Sequence, residues 1–148
     1  MYRKILVATD GSKSAAIAVD HGIMLAKATG AAVTIVYVTP MWSALDVAHA
    51  ADGGVRDPVG AYETAAAESA RMILAEAGAK ASAATVAAEL KHIADKTPAE
   101  GIVEAATNGG FDLIVMGTHG RRGVGRLLLG SQAAEVVSLS KVPVLVAR

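Results

Sequence analysis

Apolar residues follow two rhythms along this chain. Short unbroken runs at Ile5 to Thr9, Val33 to Val38, Ala83 to Leu90, Leu113 to Met116 and Val142 to Ala147 predict five strands, most of them buried on both faces. Between them the apolar positions recur at helical spacing. Ala16, Ile17, Val19, Ile23, Met24 and Ala26 predict a helix over Lys13 to Thr29, with Ser12 as its cap and Gly30 as a left-handed stop. Ala65, Met72, Ile73 and Ala77 form the inward stripe of a second helix over Val59 to Ala77, and Gly78 ends it in the same way. Thr97-Pro98-Ala99-Glu100 is a capping box with proline at the first helical position, so a third helix runs from there to Asn108. Ser131 to Leu139 is the last. Thr39 to Pro58 mixes Pro, Gly, Asp and Trp42 without a period and predicts a long connection, with one helical turn around Ala44 to Ala51.

Strands alternating with helices call for an α/β fold, a parallel sheet covered on both faces by right-handed crossovers. The 148 residues make one domain, 1–148, large enough to bury a sizeable core without staples. Composition then narrows the chemistry. There is no cysteine, which removes disulfides, thiolate metal sites and a cysteine nucleophile, and suits a reducing compartment. Fourteen basic and fourteen acidic residues leave no net charge, so recognition of nucleic acid through many phosphates is not expected. No apolar stretch approaches the ~20 residues of a membrane helix, and the apolar run after Met1-Tyr2-Arg3-Lys4 is too short for a signal peptide. The expected location is the cytoplasm.

Charge is nevertheless concentrated in one place. No carboxylate occurs between Asp112 and Glu135, while Arg121, Arg122 and Arg126 all fall there. The same interval, Gly117 to Ser131, is glycine-rich and lies between a buried strand and a helix start. Glycines allow positive φ and leave amide N–H groups open to an anion, and the helix presents its positive end, so the segment suits an oligophosphate. A Walker loop is absent, because Gly125 to Ser131 lacks the lysine; a dinucleotide fingerprint is absent, because the first strand is followed only by Gly11. Neither H-E-x-x-H nor G-x-S-x-G occurs, and no acid–base pair is evident, which favours binding over fast catalysis.

Gly117, Gly120, Gly130 and Ser131 do satisfy G-x2-G-x9-G-[ST], a spacing that resembles the ATP-binding branch of the universal stress protein family. The resemblance extends over the whole chain, through Ile5-Leu6-Val7-Ala8-Thr9-Asp10-Gly11-Ser12, the Val33 to Val38 strand before Thr39-Pro40, Asp112 to Gly120, and Val142-Pro143-Val144-Leu145-Val146. It implies an open, Rossmann-like five-stranded parallel sheet in the order 3-2-1-4-5, with a crevice where the first and fourth strands meet. It further implies that Thr9, Asp10 and Val38 line the adenine and ribose end and that Met116 closes the pocket beside them. Gly117, Gly120, Gly130, Ser131 and Gln132 would hold ribose and phosphates, with Mg or Mn bridging the phosphates and His119 and Arg121 adding contacts from the loop.

The function so implied is that of an ATP-dependent stress-response regulator acting through conformation on protein partners. The alternatives are a slow ATPase or self-phosphorylating phosphotransferase, and a dimeric interaction module that needs no nucleotide. Val142 to Ala147 would form an edge strand, with Val142, Val144 and Val146 on one face and Leu145 on the other. An exposed edge of this kind predicts a homodimer, and pairing of that strand with its two-fold mate would resemble the family arrangement.

Overall fold

The computed structural model of the chain describes residues 1–119 and 129–148. In chain order the elements are β1 (Lys4–Ala8), α1 (Lys13–Thr29), β2 (Ala32–Val38), α2 (Ala44–Asp52), α3 (Pro58–Ala83), β3 (Ala88–Ile93), α4 (Pro98–Asn108), β4 (Leu113–Gly117), α5 (Ser131–Leu139) and β5 (Val144–Ala147). The strands form one sheet in the order β3-β2-β1-β4-β5, and every pairing is parallel, as expected. Val7 stands opposite Ile35 on one side and Val115 on the other, so β1 and β4 are neighbours at the centre.

Alternation along each strand divides the core into two layers. Ile5, Val7, Val33, Ile35, Leu113 and Val115 pack beneath α1 and α3. Leu6, Ala8, Val36, Val38, Ile114 and Met116 pack beneath α4 and α5. Ile5, Leu6, Ile35 and Ile114 are fully buried, and each such side chain contributes roughly 1.5–3 kcal/mol of apolar burial. This is why β1 and β4 carry almost no polar residues, whereas the edge strand β3, none of whose residues is buried, carries Glu89, Lys91 and His92.

Three expectations about the helices are corrected. First, the buried stripe of α1 is Ala15, Ala18, Val19, Gly22, Ile23 and Ala26, while Ile17 and Met24 are exposed. A Cβ on Gly22 would lie 2.4 Å from Val7 Cγ2, so the helix sits on the sheet through its small residues and turns the larger ones outward. Second, α3 does not stop at Gly78 but continues to Ala83; its buried positions are Ala70, Leu74, Ala77 and Ala81, and Ala65 and Met72 face solvent. Gly78 serves packing, since a Cβ there would come within 2.9 Å of Leu90 Cδ1. Third, the longer helix pushes β3 along the chain to Ala88–Ile93, and the left-handed residue after the helix is Thr85, at φ 60°. Gly30, by contrast, is the left-handed stop of α1 at φ 71°, with its N–H on Ala26 O.

Candidate functional site

The order β3-β2-β1-β4-β5 reverses the winding between β1 and β4. The helix after β1 packs on one face of the sheet, whereas the helix after β4 packs on the other. The chain leaving β1 at Asp10 and the chain leaving β4 at Thr118 therefore lead to helices on opposite faces, and their carboxyl ends form the topological switch point that is the usual ligand position in open α/β sheets. The two segments that the sequence marks as functional thus lie side by side.

Hydroxyl groups tie them together. Asp10 Oδ1 accepts from Ser12 N at 2.9 Å, and Thr9 Oγ1 accepts from Gly11 N at 3.3 Å, which fixes the turn into α1. Ser12 caps that helix by accepting from Ala15 N at 3.2 Å. From the first turn of α1, Ser14 Oγ meets Thr118 Oγ1 at 3.2 Å and accepts from His119 N at 3.4 Å, while Ser12 Oγ reaches His119 O at 3.5 Å. Thr118 is buried. Its N–H donates to Ala147 O at 3.1 Å and its carbonyl accepts from Gly130 N at 2.8 Å, so the chain that leaves at residue 118 is pinned where it returns at residue 130.

Glycine is required here for close approach. A Cβ on Gly117 would lie 2.5 to 2.8 Å from Ser14 Oγ, C and O, and one on Gly130 would lie 2.8 Å from Thr118 O. Gly130 itself has φ −58°, open to any residue, so it is the close approach and not the backbone angle that calls for glycine there. Next to it stands the opening of α5. Side chains cap the other helices, Ser12 on α1, Ser43 on α2, Asp57 on α3 and Thr97 on α4, but Gly130 gives α5 none. Among the described residues no side chain accepts from the first-turn amides of α5, and these N–H groups carry the positive end of the helix.

The other anticipated residues are placed as follows. Thr9 is buried, and its N–H extends the ladder to Val36 O at 2.9 Å. Val38 and Met116 are 7% and 6% exposed and belong to the core layer under α4 and α5. Ser131 is exposed at the head of α5. The Gln132 side chain turns to α4, where Oε1 accepts from Ala99 N at 3.0 Å and links the openings of the two helices. Gly120 and Arg121 lie outside the described residues, as do Arg122 and Arg126. Ser14 and Thr118 were missed by reading the sequence. Their only sequence signal is a hydroxyl one turn into α1 and another directly after β4.

Around the far end of β2, Thr39 Oγ1 meets His92 Nε2 at 2.8 Å, and the Tyr37 and His92 rings stack at 6.3 Å. Tyr62 O–H donates to Pro40 O at 3.0 Å and binds the start of α3 to the exit of β2. Burial, and then the nearby Asp46, Tyr37 and Asp95, hold that phenol above its ordinary pKa, so it remains a donor. No group of three His, Cys, Asp or Glu side chains among the described residues is placed to hold a metal ion.

The family model for the universal stress protein family matches residues 1–148. The chain belongs to this family. The universal stress protein YxiE of Bacillus subtilis is 34% identical to it over 151 residues, covering all of both chains. Among solved structures, that of MJ0577, a protein of Methanocaldococcus jannaschii, superposes with a TM-score of 0.81 at 26% identity and covers 99% of this chain and 96% of that one. A universal stress protein solved in complex with cAMP superposes with a TM-score of 0.68 at 30% identity, covering 99% and 97%. In this universal stress protein the sheet, in the order β3-β2-β1-β4-β5, has the Rossmann-like fold of those neighbours. No helix among its described residues is long and apolar enough to cross a membrane.

Proposed function

We propose that this universal stress protein binds ATP in the β1–β4 crevice and acts in the cytoplasm as a nucleotide-dependent regulator rather than a fast catalyst. The observation that carries the reading is the set of first-turn amides of α5, without a side-chain cap among the described residues, beside the paired exits of β1 and β4. The donors suit phosphate oxygens: backbone N–H groups at a helix N-terminus, the Ser131 hydroxyl, and the absence of a Cβ at Gly130 in front of them. Asp10, on the opposite lip, supplies a carboxylate acceptor for a ribose hydroxyl or the base, and Thr9 and Val38 stand behind it. The complex of a relative with cAMP supports an adenine nucleotide as the class of ligand.

Mg or Mn, when bound, would supply positive charge that neutralises the phosphates beside the Ser131 hydroxyl. Gly120 and Arg121 complete the proposed set from the residues outside the description. Isothermal titration calorimetry with ATP in magnesium buffer tests the reading. A micromolar Kd, equivalent to about 8 kcal/mol, is expected, and absence of heat up to millimolar ATP would refute it.

We further propose that the protein is a homodimer joined through β5. That strand occupies the edge of the sheet, with Val144, Leu145 and Val146 only partly buried, an edge that a lone monomer leaves unpaired. Light scattering at micromolar protein concentration should give twice the chain mass of 14.9 kDa, and the monomer mass would refute the proposal.

A further inference from the structure

We propose that Ser14 is a positioning residue for the phosphate end of the crevice, acting through the peptide unit between Thr118 and His119; the proposal rests on the nucleotide reading above. That peptide is held at both of its polar ends. Its carbonyl, on Thr118, accepts from Gly130 N at 2.8 Å, and its N–H, on His119, donates to Ser14 Oγ at 3.4 Å. A peptide unit is planar, so a partner for the N–H also sets the direction of the carbonyl. Ser14 thereby decides where Gly130, and the α5 amides that follow it, are placed.

Further contacts hold residue 118 itself. Ser14 Oγ pairs with Thr118 Oγ1 at 3.2 Å, and Thr118 N donates to Ala147 O at 3.1 Å. Residue 118 is thus tethered three ways, to α1, to β5 and to the head of α5. Only the tether to α1 is made by a side chain. At Gly117 the backbone of Ser14 fills the space a Cβ would take, so α1 and the β4 exit are in direct contact and the short serine side chain suffices to span them.

Without the Ser14 hydroxyl, the Thr118 hydroxyl and the His119 N–H lose a partner, and the 118–119 plane can turn. The amides of α5 then lose their fixed direction, while Asp10 and Thr9, held by their own bonds to Ser12 and Gly11, keep theirs. Ser14→Ala should therefore weaken ATP and spare adenosine.

Calorimetry on the full chain, with ATP and with adenosine as separate titrants, tests this. In Ser14→Ala the Kd for ATP is expected to rise about tenfold, the scale of one to two lost neutral hydrogen bonds. The Kd for adenosine should change less than about twofold, and Ser14→Thr, which keeps the hydroxyl, should recover most of the ATP affinity. Amide exchange at Gly130 should accelerate in Ser14→Ala relative to Ile114 in mid-strand, a readout that needs no nucleotide. Should Ser14→Ala fail to fold, Ser14→Cys keeps the shape of the side chain, replaces the hydroxyl by a weak acceptor and carries the same expectation.

An unchanged ATP Kd in the variant, or equal losses for ATP and adenosine, would overturn the role of Ser14 and leave the nucleotide reading standing. A wild-type protein that ignores ATP would overturn both.

Discussion

The central strands β1 and β4 are fastened at both ends, and the two fastenings differ in kind. At their amino ends the fastening is by charge-assisted hydrogen bonds. Asp112 accepts from Arg3 N at 2.8 Å and Lys4 N at 3.0 Å, and Lys4 Nζ donates to Gly109 O at 2.7 Å while lying 4.7 Å from the centre of the Phe111 ring. At their carboxyl ends the ties are neutral, made by Ser12, Ser14 and Thr118, at 3.2 to 3.5 Å. Hydrogen bonds to a charged group are roughly twice as strong as neutral ones. The protein therefore locks one end of the β1–β4 pair and leaves the other held by weaker bonds, beside first-turn amides of α5 that no side chain caps among the described residues. The two rims of the same two strands thus differ in bond chemistry.

Breaking the comparison at the carboxyl rim should have the largest effect. Gly117→Ala places a Cβ 2.5 to 2.8 Å from Ser14 Oγ, C and O, a clash partly with backbone that cannot swing away. A loss of about 3 kcal/mol is expected, read by calorimetric scanning as a Tm lower by roughly 10 °C; an unchanged Tm would show that α1 can back away freely. Gly130→Val should be milder for the fold and decisive for the ligand. Its φ of −58° suits valine, but the Cβ would meet Thr118 O at 2.8 Å and the branches would stand before the α5 amides. A Tm drop of a few degrees with ATP binding lost is the expected pair of results. Retained ATP affinity would take Gly130 out of the proposed site, and loss of ATP with an unchanged phenotype would favour the reading as a nucleotide-independent module.

The smallest effect is expected at the amino rim, and it depends on pH. The N–H groups of Arg3 and then Lys4 hold the Asp112 carboxyl below the ordinary carboxylate range. A pKa depressed on folding contributes stability that is present above the unfolded value and disappears as pH falls through the folded one. Asp112→Asn keeps one acceptor of the two, so it should be less stable than wild type near neutrality. The gap should begin to narrow below about pH 4 and close once the folded carboxyl protonates. Chemical denaturation at a series of pH values reads this directly, and a gap constant down to pH 2 would contradict the assignment.

Helix openings and strand cores were legible in the residues because their causes are local. Ser12 and Thr97 accept from amides three residues on, and a buried run such as Leu113 to Met116 needs no partner to be recognised as apolar. Gly30 and Gly78 show where that legibility stops. Both follow a helical pattern of small and apolar residues, yet one is a left-handed stop with nothing within 4 Å of its missing Cβ, and the other sits inside a helix against Leu90. The distinction lies in a neighbour brought by the fold, not in the glycine.

The glycine–serine spacing and the strand segments in their order carried the family resemblance, and it was the resemblance that implied the order of the sheet. Tertiary structure alone decided the partner of Ser14, a hydroxyl 104 residues away, and the burial of Val38 and Met116 in the core layer under α4 and α5. Periodicity records how a side chain relates to its own helix or strand. Which surface it meets is set by how helices and sheet settle on one another, through close contacts such as Gly22 on Val7 and Gly117 on Ser14, and those contacts have no local signature.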